Sequence, residues 1–387
     1  MSYSSGRHHL QLPGPTNVPE QVLRAMSRST IDHRGPEFQT LTHRLLEGMK
    51  WIFRTRQPVM ILPSSATGAW EAALANTLSP GDRVLIFDQG FFASKWAAVA
   101  ERFGLDVQRE PWEPRRGVAA DAVVDALRAD PDHLIKAVLL VHNETSTGVT
   151  TDVEVIGTAM RESEHPAMLF VDAVSSLAAT DLRHDDWGID VTVSGSQKGL
   201  MLPPGLSFLA VSQRALEARS SAQLPRSYWD WDDQLGFNER GFFPYTPATN
   251  LLYGLDVALE MLREEGLPAV FDRHARFAHA TRTAVTAWGL QTFAADPLES
   301  SNAVTSVLMP DSVDADAVRA LILDRFDMSL GTGLGESKGR VFRIGHLGHL
   351  NEVSLLGALA GVEMGLVLSG APVVLGGVSA AMKTLIP

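Results

Sequence analysis

The sequence predicts an α/β fold: a mostly parallel sheet with helices on both faces, followed by a smaller α+β unit. Three observations carry that expectation. From residue 58 to about 212, apolar runs alternate with amphipathic stretches, the pattern of parallel strands joined by helical crossovers. Beyond residue 266 the strand-like runs become short and are scattered among helices. A chain of 387 residues can also bury a full core and divide into more than one domain. The expected division is an N-terminal arm at 1–19, a large domain at 20–265 and a small C-terminal domain at 266–387.

In the segment 12–19, LPGPTNVP, the prolines lack donors and restrict their neighbours, so it reads as an extended arm leading into a helix at 20–27. Seven apolar runs then read as buried strands, at 59–62, 84–87, 105–108, 137–141, 168–171, 191–193 and 206–211. Amphipathic stretches such as 70–78 and 120–128 read as helices between them. Residues 224–249, rich in Trp, Phe, Asp and Pro with little periodicity, break the rhythm, and long loops of this kind tend to be functional or to lie at interfaces. Helices are expected at 250–265 and 270–288, and short strands at 305–309 and 340–344.

Composition removes several classes of function. A net charge of -12 argues against nucleic acid as a partner. No run reaches 18 apolar residues and the first nine residues are polar, so neither a membrane span nor a secretory leader is expected, and a cytoplasmic protein is the default reading. The absence of cysteine excludes disulfides, thiolate metal sites and cysteine nucleophiles together.

The chemistry concentrates where strands end. Asp172 closes the run 168–171, and Lys198 lies in the small-residue turn SGSQKG after the run 191–193. Neighbouring parallel strands would deliver both groups to one rim of the sheet, where open α/β sheets bind ligands. Taken singly, such a lysine reads as a solvated residue and such an aspartate as a helix cap. Together, an amine able to form a Schiff base and a carboxylate able to pair with a pyridinium nitrogen are what pyridoxal phosphate asks of a protein. The segment PSSATGAWE at 63–71 follows a strand and opens a helix, and its Ala66, Thr67 and Gly68 let backbone N–H groups approach a phosphate. A plain helix cap is the competing reading, and no P-loop spacing is present. Phe92, in GFFA after the run 84–87, offers a ring to stack on a flat cofactor, against the competing reading of a core phenylalanine.

The loop HNETSTG at 142–148 is polar directly after a buried run, so Asn143 or Thr145 can hydrogen-bond a cofactor hydroxyl while Glu144 anchors the loop. His142 and Glu144 lack the spacing of a metal site, and no metal is expected. The glycines of 331–335 form no dinucleotide loop, since a strand rather than a helix follows, and read instead as a tight turn near the site. Arg343, on a short apolar strand, presents a planar fork suited to a carboxylate, with a surface ion pair as the competing reading.

Six ordered motifs then carry a family resemblance: PGPTNVP at 13–19, DHRGPEF at 32–38, HNETSTGV at 142–149, FVDAVSS at 170–176, SGSQKG at 194–199 and FRIGHLG at 342–348. The chain resembles the class V aminotransferases of fold-type I over essentially its whole length, in particular the serine–glyoxylate and alanine–glyoxylate branch. The resemblance implies pyridoxal 5'-phosphate as cofactor, a seven-stranded sheet in the large domain and a homodimer with shared active sites. It also implies that Lys198 holds the cofactor as a Schiff base, Asp172 pairs with its ring nitrogen and Phe92 stacks on the ring, where many relatives carry tryptophan. Ala66, Thr67 and Gly68 with Gln197 would hold the phosphate; Asn143, Thr145 and Ser176 would lie near the ring. Tyr245 and Thr246 would reach the phosphate of the other subunit, and Arg343 would grip the substrate α-carboxylate.

The function so implied is transfer of the serine amino group to glyoxylate. An aspartate–glyoxylate or alanine–glyoxylate enzyme is the alternative, the former needing a second cation for which Arg34, Arg226 and His346 are the candidates. A lyase or aldolase acting on β-hydroxy amino acids is a further alternative. Without cysteine, desulfurase chemistry is excluded.

Overall fold

A computed structural model describes residues 6–113 and 115–386; residues 1–5 of the expected arm lie outside the described residues. The described chain opens with β1 (His9–Gln11), which belongs to a five-stranded sheet separate from the larger one. The larger sheet comprises β2 (Val59–Leu62), β3 (Arg83–Phe87), β4 (Asp106–Glu110), β5 (Ile135–Val141), β8 (Met168–Asp172), β9 (Val191–Gly195) and β10 (Ser207–Val211), with the hairpin β6 (Asn143–Glu144) and β7 (Val149–Thr150) inserted after β5. Its spatial order is β2-β10-β9-β8-β5-β3-β4. Only β10 runs against its neighbours, antiparallel to both β2 and β9.

These seven strands fall on the seven predicted runs, and apart from the edge strand β4 they are largely apolar because the sheet is covered on both faces. Every residue of β8, β9 and β10 is buried. Along β5, Val138 and Leu140 enter one core layer and Ala137, Leu139 and Val141 the other. At the edge, β4 has no fully buried residue, and it begins one residue later than its apolar signal suggests.

The second sheet has the order β1-β13-β14-β12-β11, built from β11 (Gln291–Thr292), β12 (Val304–Leu308), β13 (Met328–Thr332) and β14 (Val341–Gly345). Its own core gathers Phe277, Trp288, Phe342, Leu355 and Leu359. The N-terminal segment is therefore more than an extended arm, since residues 9–11 pair in parallel with β13. Residues 224–249 also differ from expectation, because they contain the helix Trp231–Glu239, capped by the Asp230 side chain and anchored by fully buried Trp231. Among the described residues no helix is long and apolar enough to cross a membrane.

For the site, direction is what matters. Parallel strands β5, β8 and β9 all end at one rim, so the segments 142–148, 172–176 and 194–199 emerge side by side.

Candidate active site

Lys198 emerges after β9 and is 7 % exposed; of the six lysines it is the one that is buried. Its Nζ donates to the Pro13 carbonyl at 2.5 Å. Burial, and then the positive charge of Arg343, pull its pKa down to about 8, against the opposing pull of Asp172 and Glu144. The N-terminal segment is shaped to this side chain. Thr16 N bonds to the Gln197 carbonyl, and a Cβ at Gly14, which holds φ +109, would collide with the Lys198 Cδ, Cε and Nζ.

Asp172 closes β8, and burial raises its carboxyl to about pKa 7. Its Oδ1 accepts from Val174 N at 2.7 Å and its Oδ2 from the Trp70 indole Nε1 at 3.1 Å. It forms no ion pair among the described residues, so this buried carboxylate is held by neutral donors alone.

The loop after β5 is held by its own carboxylate. Glu144, fully buried, accepts from Phe92 N at 3.0 Å, Ala93 N at 3.2 Å, Ser146 N at 2.9 Å and Ser146 Oγ at 2.6 Å. Burial pushes its pKa up while these donors pull it down. It thereby caps the helix Phe91–Arg102, whose N-cap Gly90 has no side chain, and fixes Phe92 beside the loop. Asn143 Nδ2 and Thr145 Oγ1 both converge on Ser175 Oγ at 2.7 Å.

Arg343 lies on β14, 7 % exposed, donating from Nε to the Thr332 carbonyl at 2.7 Å and from Nη1 to the Thr145 carbonyl at 2.9 Å. Burial lowers its pKa to about 10, well above neutrality. Among the described residues it has no carboxylate partner and Nη2 has no hydrogen-bond acceptor. A buried, charged fork with a free N–H edge is suited to a carboxylate supplied from outside. Gly331 of the glycine-rich turn packs against it, where a Cβ would stand 2.9 Å from the Arg343 Cβ.

Ala66, Thr67 and Gly68 open the helix Ala66–Thr77, whose N-cap Ser65 makes no side-chain capping bond. Gly195 stands between Ala66 and Gln197, and a Cβ there would meet both side chains. Gln197 Oε1 and Ser176 Oγ are buried without partners among the described residues. Tyr245 and Thr246 are not brought into this cluster within the chain. Both are exposed, with Tyr245 stacked on Tyr228 at 4.5 Å and 11°.

Four contributors escaped the sequence reading: Trp70, Ser175, and the carbonyls of Pro13 and Thr332. Ser175, Trp70 and Pro13 lay inside the motifs FVDAVSS, PSSATGAWE and PGPTNVP without being singled out, and Thr332 lay in the glycine-rich turn 331–335. Two of the candidate second cations are engaged elsewhere. Arg226 bonds Asp230 and the carbonyls of Ala75 and Ala222, while His346 sits between Thr305 and the Asn302 carbonyl with its pKa lowered by burial to about 3. Arg34 is exposed. Among the described residues no group of three or more His, Asp or Glu could hold a metal ion.

Residues 8–336 match the family model described as Aminotransferase class-V. The chain is 48 % identical over 389 residues to the serine–glyoxylate aminotransferase of Methylorubrum extorquens, covering 98 % of this chain and 96 % of that one. It is 45 % identical over 376 residues to the L-aspartate–glyoxylate aminotransferase of Paracoccus denitrificans, covering 96 % and 94 %. The crystal structure of a ureidoglycine–glyoxylate aminotransferase from Bacillus subtilis superposes with a TM-score of 0.92 at 28 % identity, over 99 % of both chains.

Proposed function

From the premise that this chain belongs to the class V aminotransferases, we propose that it moves the amino group of L-serine to glyoxylate, yielding hydroxypyruvate and glycine. The observation that carries the reading is a single buried lysine set near a buried carboxylate and a buried arginine, neither of which forms an ion pair among the described residues. Those are the vacant valences a cofactor ring and a substrate carboxylate fill.

The residues fit pyridoxal phosphate. Gly195 keeps open a cradle between Ala66 and Gln197 that a Cβ would fill, and the buried Gln197 Oε1 and Ser176 Oγ lack partners among the described residues. Ala66, Thr67, Gly68 and Gln197 would hold the phosphate at the uncapped helix start. Phe92 would cover the ring, and Asn143, Thr145 and Ser176 would lie at its polar edge. When bound, this cofactor supplies a carbonyl that condenses with amines and a ring that accepts the electron pair left at Cα.

The chain's own residues do the rest. Lys198 carries a useful fraction of neutral amine near neutrality, because its pKa is about 8. It binds the cofactor, takes the proton from Cα of serine once displaced, and returns a proton to Cα as glycine forms. Asp172 holds the proton on the ring nitrogen. Arg343 grips the α-carboxylate common to donor and acceptor, fixing the orientation of Cα–H. Serine is favoured as donor because its hydroxymethyl group needs no counter-charge, and Arg226 and His346 offer none for a second carboxylate.

The reading includes a cytoplasmic homodimer in which Tyr245 and Thr246, exposed on one subunit, complete the phosphate site of its partner. Incubation with 15N-serine and glyoxylate tests it. Label should appear in glycine in equal amount to hydroxypyruvate. Release of ammonia or formaldehyde instead would favour lyase or aldolase chemistry and discard the proposal.

A further inference from the structure

We propose that Trp70 is a positioning residue for this reaction, its indole N–H orienting the Asp172 carboxylate and tying it to the helix that opens the phosphate cradle. The inference rests on the cofactor reading above. Trp70 lies one turn beyond Ala66 on the helix Ala66–Thr77, so one rigid element carries both the cradle and the donor. Its Nε1 reaches Asp172 Oδ2 at 3.1 Å, while Val174 N holds Oδ1 at 2.7 Å. Two directed donors leave the carboxylate plane little freedom. The indole is itself immobilised, 2 % exposed and stacked on fully buried Trp96 at 5.5 Å and 12°.

The partners in that stack are not equivalent. Trp96 Nε1 is buried with no hydrogen-bond partner among the described residues, so Trp96 contributes a surface and Trp70 contributes a surface and a bond. Replacing either by phenylalanine removes a similar amount of packing. Only one replacement removes a donor from Asp172.

The charged groups facing Asp172 are Lys198, which favours its ionised form, and Glu144, which opposes it. His142, whose backbone N–H bonds the Asp172 carbonyl, is held neutral by burial with its pKa near 4. Burial leaves the Asp172 pKa at about 7, against the downward pull of Val174 and the smaller pull of Trp70. Loss of the indole N–H moves it further up. Below that pKa in the apoprotein, the carboxyl keeps its own proton and a cationic ring loses its partner. Cofactor affinity therefore falls as pH drops through it, and does so at higher pH without Trp70.

The experiment titrates apoprotein with pyridoxal phosphate between pH 6 and 8.5, for the unaltered chain, Trp70→Phe, Trp96→Phe and Trp70→His. Trp70→Phe should weaken binding about tenfold at pH 7 and move the midpoint of the affinity loss up by about one unit. Trp96→Phe should keep both within about twofold, since its N–H has no acceptor to lose. Trp70→His, which fits the pocket worse but restores a ring N–H, should have a midpoint between those of the unaltered chain and Trp70→Phe. Equal behaviour of the two phenylalanine variants, or a histidine variant worse than Trp70→Phe, would place the effect in packing and overturn the proposal. Failure of the unaltered protein to bind pyridoxal phosphate would instead remove the reading beneath it.

Discussion

Replacing Arg343 by lysine keeps a positive charge on β14 and removes the fork. In the structure the guanidinium is 7 % exposed and already spends Nε and Nη1 on the carbonyls of Thr332 and Thr145. The remaining donors are what a substrate carboxylate receives. A lysine has three N–H groups on a point charge, so after satisfying two carbonyls it offers one bond where arginine offers a planar edge. Loss of one charge-assisted bond amounts to about 1.5–3 kcal/mol, or roughly 10- to 150-fold in affinity. The carboxylate is gripped equally in the ground and transition states, so the change belongs in KM, with kcat nearly untouched. Steady-state kinetics with serine and glyoxylate varied in turn should show both KM values rising together. A small monocarboxylate inhibitor should weaken by the same factor. KM values unchanged for both substrates would refute the role of Arg343, and a rise for one alone would refute a shared α-carboxylate site.

Three further outcomes are expected. Asp172→Asn removes the charge that holds the ring proton, so proton exchange at Cα should slow at least tenfold and cofactor retention weaken on dialysis; a variant matching the parent in both would reduce Asp172 to a turn residue. Mixing inactive Lys198→Ala with a Thr246→Ala variant should recover activity through hybrid dimers, each containing one intact site; a fully active Thr246→Ala variant or a monomer at assay concentration would defeat this. Finally, His142, His184 and His274 are buried with pKa values lowered to about 4, and His346 to about 3. The unfolded chain binds these protons near pH 6.5 and the folded chain does not, so stability should fall as pH drops from about 6.5 toward 4. Asp172 and Glu144, raised in the fold, offset part of that loss. Melting temperatures flat across this window would show that the imidazoles are hydrated.

Much of the large sheet could be read from sequence because burial on both faces writes itself into uninterrupted apolar runs. Direction does not. Nothing in the residues of β10 distinguishes an antiparallel strand from a parallel one, since its hydrogen bonds are made by backbone. The strands β1 and β13 were illegible for a different reason: HLQ and MSLGT are short and mixed, and their pairing joins His9 to Met328 across most of the chain. At the site, Lys198 and Asp172 stood out as a pair, because neighbouring parallel strands bring an amine and a carboxylate to one rim, whereas either alone reads as a solvated residue or a cap. Trp70 was hidden by the opposite logic. On a helix already rich in apolar residues, a tryptophan reads as core, and its N–H acquires meaning only when β8 brings Asp172 within reach. The carbonyls of Pro13 and Thr332 carry no residue signature at all, because any amino acid there offers the same oxygen.

The assignment of the site to Lys198 can be tested without measuring turnover. The purified protein, saturated with pyridoxal phosphate, is reduced with borohydride, digested and mapped by mass spectrometry. Covalent cofactor should be found on Lys198 and on none of the other five lysines, Lys50, Lys95, Lys136, Lys338 and Lys383, none of which is buried. An unmodified Lys198 in a preparation that still transfers nitrogen from serine to glyoxylate would contradict the account.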